Sequence, residues 1–178
     1  MEKRLELYEN GIVQVEEVPD DFKLSDNQRL QVEAEKNKTD YIDKDRITQF
    51  LNELNYPLYH LDFETMGHAV PIFNGSSPYQ QLVFQYSLHV QKSPKAEPDH
   101  FEFLAETNGE DPRIKFVDQL IKDLGKEGDI LVYNIAFERD KLNDLANLFP
   151  SKAEKIHSII YRLKDLMIPF QKKWYYSY

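Results

Sequence analysis

Asp62 and Glu64 stand one residue apart inside "YPLYHLDFETMGH", Tyr56 to His68, a run that otherwise reads as a strand. Successive strand side chains point to opposite faces, so these two carboxylates project together, while Leu61 and Phe63 turn the other way with Tyr59 and Thr65. Two like charges at that separation repel, and binding a cation or neutralising one acid relieves the repulsion. The pair is either a solvated sheet face or half of a metal site. The chain has no cysteine, which removes disulfides and thiolate zinc sites. A metal would have to be held by Asp, Glu, His or backbone oxygen, and that donor set points to magnesium or manganese.

A second acidic station lies in "VYNIAFERDKL", Val132 to Leu142. Asn134 falls at a strand-to-helix junction, where it suits an N-cap, and Glu138 falls in about the first turn of the helix. From there Glu138 would aim a third carboxylate towards Asp62 and Glu64. His60 shares the strand face of Asp62, whereas His68 and His89 have no spacing that marks a metal site. The tail "QKKWYYSY" interleaves basic and aromatic residues, as a stacking surface for single strands does and as ordinary aromatic packing also does.

The elements that must position these residues follow from periodicity. Residues 1–55 read as a helical lead-in or linker. "LSDNQRLQVEAEK" carries a capping-box pattern, Ser25 with Gln28, and "DKDRITQFLNEL" sets Ile47, Phe50, Leu51 and Leu54 at helical spacing. Pro57 then ends the helix and introduces the strand. Residues 56–178 form the main domain. "LYHLDFET" is its first strand, and "QLVFQYSLHV" its second, with Leu82, Phe84, Tyr86 and Leu88 expected on one face. "HFEFLA" is the third strand, which makes an antiparallel meander. "DPRIKFVDQLIKDLGKEG" is a helix with Asp111 at its N-cap and Pro112 first in the helix. "DILVY" is a buried strand of the parallel kind, expected beside the first strand, and "NIAFERDKLNDLANLFP" is a helix closed by Pro150. "SIIYRLKDLMIPF" is a further strand or helix. The expected fold class is α/β: a mixed sheet flanked by helices behind a helical N-terminal lead-in.

At 178 residues the chain can bury a real core. No run approaches the roughly 20 apolar residues of a membrane span, and the N-terminus lacks the apolar core of a secretory signal. The expectation is a cytoplasmic bacterial protein with no membrane partner. A net charge of −9 argues against a general phosphate-binding surface, but an acidic nuclease pocket meets its substrate through bound cations.

"LDFET" followed by "NIAFE" resembles the first two motifs of the DnaQ-like, or DEDD, 3′–5′ exonucleases of the ribonuclease H-like fold. Glu138 stands where that superfamily commonly has aspartate. More closely, "YPLYHLDFETM", "PYQQLVFQYSLH", "DPR", "YNIAFE" and "RLKDLMIPF" resemble the domain of unknown function 2779, often part of longer chains that also carry restriction-type nuclease regions. The resemblance implies a metal-dependent nuclease acting on DNA or RNA with two magnesium or manganese ions. Asp62, Glu64 and Glu138 would be catalytic and metal-holding, and Phe63, Thr65 and Asn134 would lie against substrate. "YRLKD", Tyr161 to Asp165, literally matches the Tyr-x-x-x-Asp form of the third motif, which makes Asp165 a candidate fourth ligand. It comes earlier than that motif normally does, so a structural role for Asp165 and a C-terminally truncated domain are also expected. The competing function is a nucleic-acid-binding or scaffolding domain that keeps the fold without catalysis. A glycosidase is set aside, because acids on one strand lie closer than its paired carboxylates.

Overall fold

The alternation in "LYHLDFETMG" folds as one continuous strand in the computed structural model, which describes residues 2–178. The chain divides into two compact units. One runs to Asn52 and takes in Met167–Tyr178; the other is Glu53–Leu166.

The first unit holds helices α1 (Glu2–Glu9), α2 (Asp26–Asn37) and α3 (Lys44–Asn52), with a short strand β1 (Tyr41–Ile42) between the last two. The capping box of α2 forms as its residues predict: Ser25 Oγ accepts the Gln28 amide, and Gln28 Oε1 accepts the Ser25 amide at 3.0 Å.

The second unit carries the acids. Its strands are β2 (Leu58–Gly67), β3 (Gln81–Gln91), β4 (Asp99–Leu104), β5 (Ile130–Val132) and β6 (Leu163–Asp165). Its helices are α4 (Arg113–Asp123), α5 (Ile135–Leu148) and α6 (Ala153–Tyr161). The strands form one five-stranded sheet in the order β4-β3-β2-β5-β6. β2, β3 and β4 are antiparallel, while β5 runs parallel to β2, with Tyr59 opposite Ile130 and His60 opposite Leu131. β6 runs parallel to β5. "SIIYRLKDLMIPF", left open between strand and helix, supplies the end of α6, then β6, then α7 (Ile168–Gln171), which belongs to the first unit with β7 (Tyr175–Tyr176). β1 and β7 pair antiparallel. No helix among the described residues is long and apolar enough to cross a membrane.

One sheet face is apolar and buried under helices. Tyr59, Leu61, Phe63, Tyr86, Leu88, Ile130, Val132 and Leu163 join Phe116, Leu120, Leu142, Leu145 and Ile156 in a single core. Phe63, Tyr86 and Phe103 each meet the Phe116 ring edge-on at 5.3–5.5 Å, the preferred aromatic arrangement. The second strand departs from strict alternation. Glu64 faces Gln85 but Thr65 faces Val83, so Phe84 is an extra residue opposite a break in the ladder. Beyond this bulge Val83, not Phe84, joins the core, and Phe84 is only half-buried. At the start of α4, Pro112 rather than Asp111 holds the N-cap position and Arg113 comes first in the helix, while Asp111 Oδ1 accepts the Arg113 amide at 3.0 Å from one residue further back. Gly125 and Gly128, both at positive φ, follow the helix.

A candidate active site of carboxylates

β2 sets Asp62 and Glu64 on the face away from the core, both exposed, opposite Ser87 and Gln85 of β3. β2 runs on to Gly67, but its ladder with β5 stops at the His60–Leu131 pair. The chain of β5 then turns into α5 at Asn134, and the sheet leaves a step at that point. The parallel direction of β5 brings the start of α5 to the same end of the sheet as the acids.

Asn134 sits at the N-cap position in the left-handed region (φ +73°, ψ +70°), a conformation that asparagine tolerates better than most residues. Its side chain makes no capping bond. Asp165 at the end of β6 takes that role: its Oδ1 accepts the Asn134 amide at 3.1 Å and its Oδ2 accepts the Ile135 amide at 3.2 Å. An anion at a helix N-terminus satisfies amides that have no partner within the helix and meets the positive end of the helix dipole. Of the two roles the sequence leaves open for Asp165, this is the structural one. Neither reading of the sequence identified Asp165 as the cap, because no local spacing links residue 165 to residue 134.

Glu138 is the unusual member. It lies in the first turn of α5 and is only 2% exposed, and its Oε2 is buried with no hydrogen-bond partner. Burial pushes its carboxyl up to about 7, helped by the charges of Asp62 and Asp165, while a bond to its own backbone amide pulls the other way. Glu138 therefore feels one acid from β2 and one from β6. Three elements bring carboxylates within electrostatic reach of one another. Glu64 points to the same face as Asp62, one strand repeat further along. Among the described residues, no three acids or histidines already form a cage for a metal ion.

A buried carboxylate oxygen without a partner is costly unless something answers it. A hard divalent cation would answer it and would also quiet the mutual repulsion of the acids, and an all-oxygen donor set suits magnesium or manganese. By this test the residues present fit such an ion.

The remaining candidates separate cleanly. The Phe63 ring is in the core, so only its backbone is open to a substrate role. Thr65 is half-buried at the bulge. Asn134 is exposed at the mouth of α5. His60 is half-buried and burial lowers its pKa, with the neighbouring His89 adding to the effect. His89 instead stacks on His100 with ring centres 4.5 Å apart. "QKKWYYSY" belongs to the other unit, where Trp174 meets Phe50 edge-on.

The family model of a domain of unknown function, DUF2779, matches residues 59–178. An uncharacterized protein of Mycoplasma genitalium, MG366, is 30% identical over 124 residues, which are 65% of this chain. The chain spans only 18% of that relative's length. No solved structure matches.

Proposed function

The chain belongs to the DUF2779 family, and from that premise we propose that residues 56–178 are a metal-dependent nuclease domain of the DnaQ-like, 3′–5′ exonuclease kind with a ribonuclease H-like fold. It would hydrolyse phosphodiester bonds of DNA or RNA. Support for the fold comes from the antiparallel meander, the parallel β5 beside β2, and the acids at the shared end of those strands. The observation that carries the function is Glu138, buried, unpartnered at Oε2 and coupled to Asp62 and Asp165. Burying such a group is costly while it is ionised, and a cation held there would offset that cost.

Asp62, Glu64 and Glu138 would hold the magnesium or manganese ions. When bound, such ions supply an activated water and stabilise the leaving oxygen. Asp165 fixes the start of α5, and through it the place of Glu138. Asn134 and Thr65, with the Phe63 backbone, border the side from which a strand end would enter. Glu138 enters a metal-free site largely protonated below neutrality and must give up that proton to become a ligand.

A second reading has its own support. Each oxygen of Asp165 accepts an amide, which gives the fourth acid a part in the fold. A nucleic-acid-binding or scaffolding domain that retains the fold would look the same at that position. Calorimetric titration with manganese separates the two. Binding that Asp62→Asn abolishes, together with degradation of a 3′-labelled oligonucleotide that Glu64→Gln abolishes, supports the nuclease; no heat at millimolar manganese leaves the scaffold.

A further inference from the structure

Three of the chain's five histidines meet in one row across the outward face of the sheet. The register sets His60 of β2 opposite His89 of β3, and His89 opposite His100 of β4. Residues paired in this way share a face. The next row along the strands is Asp62, Ser87 and Glu102.

Within the histidine row, His89 and His100 are the open pair. Both are exposed, and their rings lie 4.5 Å apart at an angle of 26°. His60, on the other side of His89, is half-buried. β4 is the edge strand, so no further strand of the sheet stands beyond His100. His100 Nε2 lies 3.3 Å from Ser87 Oγ. An imidazole that donates through Nε2 keeps its lone pair on Nδ1. Metal-bound histidines are held in the same way, with the second ring nitrogen donating to an oxygen that fixes the tautomer and the ring.

We propose that His89 and His100 chelate one late divalent transition-metal ion, zinc or nickel, through one nitrogen each, with water completing its shell. Imidazole nitrogen suits such ions, whereas the carboxylates at Asp62, Glu64 and Glu138 suit magnesium or manganese. The two rings must turn out of their stack to bring a nitrogen each to a shared ion, and their exposure leaves room for that turn and for the waters. Glu102, exposed on the same face two residues along β4 from His100, adds a negative charge that favours a cation. The bound ion would clip the edge strand β4 to β3. This site goes beyond the nuclease reading and does not depend on it.

The test is calorimetric titration of the untagged full chain with nickel, carried out on Asp62→Asn so that the carboxylates do not add to the heat. One saturable ion per chain is expected, and a further His89→Gln or His100→Gln change should weaken it at least about ten-fold. Both histidines are exposed, so neither change should unfold the chain. Nickel should raise the Tm of Asp62→Asn, and do so far less once either histidine is replaced, because the ion binds the folded pair. Manganese binding by the chain with Asp62 intact should be unchanged by His89→Gln, which keeps this outcome distinct from that of the nuclease reading. No saturable heat at millimolar nickel, or equal nickel affinity with and without either histidine, overturns the proposal.

Discussion

Asp165 receives the backbone amide of Asn134 on its Oδ1 at 3.1 Å, with the Ile135 amide on its other oxygen. A residue at the end of β6 thus starts the helix that carries Glu138. Asp165→Ala is expected to cost about 1–2 kcal/mol as a lost helix cap, which lowers Tm by roughly 2–8 °C. Asp165→Asn, which keeps an acceptor, should cost less. Thermal unfolding of both variants checks this, and equal stability of Asp165→Ala and wild type would show that the cap is idle.

The raised pKa of Glu138 makes stability depend on pH with a definite sign. Its folded value of about 7 lies above the ordinary 4.5, so between those values the native state holds a proton that the unfolded chain has released. This contribution is fully present below about pH 4.5 and is lost as pH rises through 7. Glu138→Gln keeps the shape and removes the charge. Without metal it should exceed wild type in stability at pH 8, by at most about 3 kcal/mol, and lose that advantage near pH 5. Urea unfolding at the two pH values is the measurement; an advantage of equal size at both would remove the burial argument.

Asp62 is exposed, so its neutralisation should leave the fold intact. Asp62→Asn is expected to change unfolding free energy by less than about 0.5 kcal/mol while weakening manganese binding at least ten-fold. It should also lower the Glu138 pKa, because one of the charges that raises it is gone. A carboxyl titration followed by NMR would show this, and an unmoved Glu138 would mean that the two acids are uncoupled.

Gly128 stands at φ +85° ahead of β5, and a Cβ there would run into the backbone of Pro57. Gly128→Ala therefore combines backbone strain with a clash against backbone, and it is expected to cost more than about 3 kcal/mol. Yield of soluble protein and the urea midpoint would report it. An Ala variant with wild-type stability would show that the approach of the two segments can relax.

The sequence made the strands and their faces legible wherever one physical rule governed. Alternation placed Leu61 and Phe63 in the core and Asp62 and Glu64 on the other face, and the short apolar run at Ile130–Val132 announced a strand flanked on both sides. Periodicity found α4 and α5 and the capping box of α2. It failed where the cause is tertiary. The bulge at Phe84 leaves no local mark, so Val83 took a core place expected for Phe84. Asn134 reads as a cap from its type alone, yet the capping oxygens come from residue 165. Asp111 and Arg113 read as a helix start, and nothing nearby told that the guanidinium reaches back to Asn74. The high pKa of Glu138 likewise arises from burial in the fold, and then from the charges of Asp62 and Asp165, which lie far away in the chain.

The extra residue at Phe84 acts like a frameshift within the β2–β3 hairpin. On the side of Tyr86 and Leu88, inward and outward keep one parity; on the side of Val83 and Gln81 they are exchanged. Removing Phe84 would leave Gln85 opposite Glu64 and Val83 opposite Thr65 on the faces they now occupy, and would take away only the kink that the extra residue puts into β3. One deleted codon would thus straighten the strand without exchanging its faces.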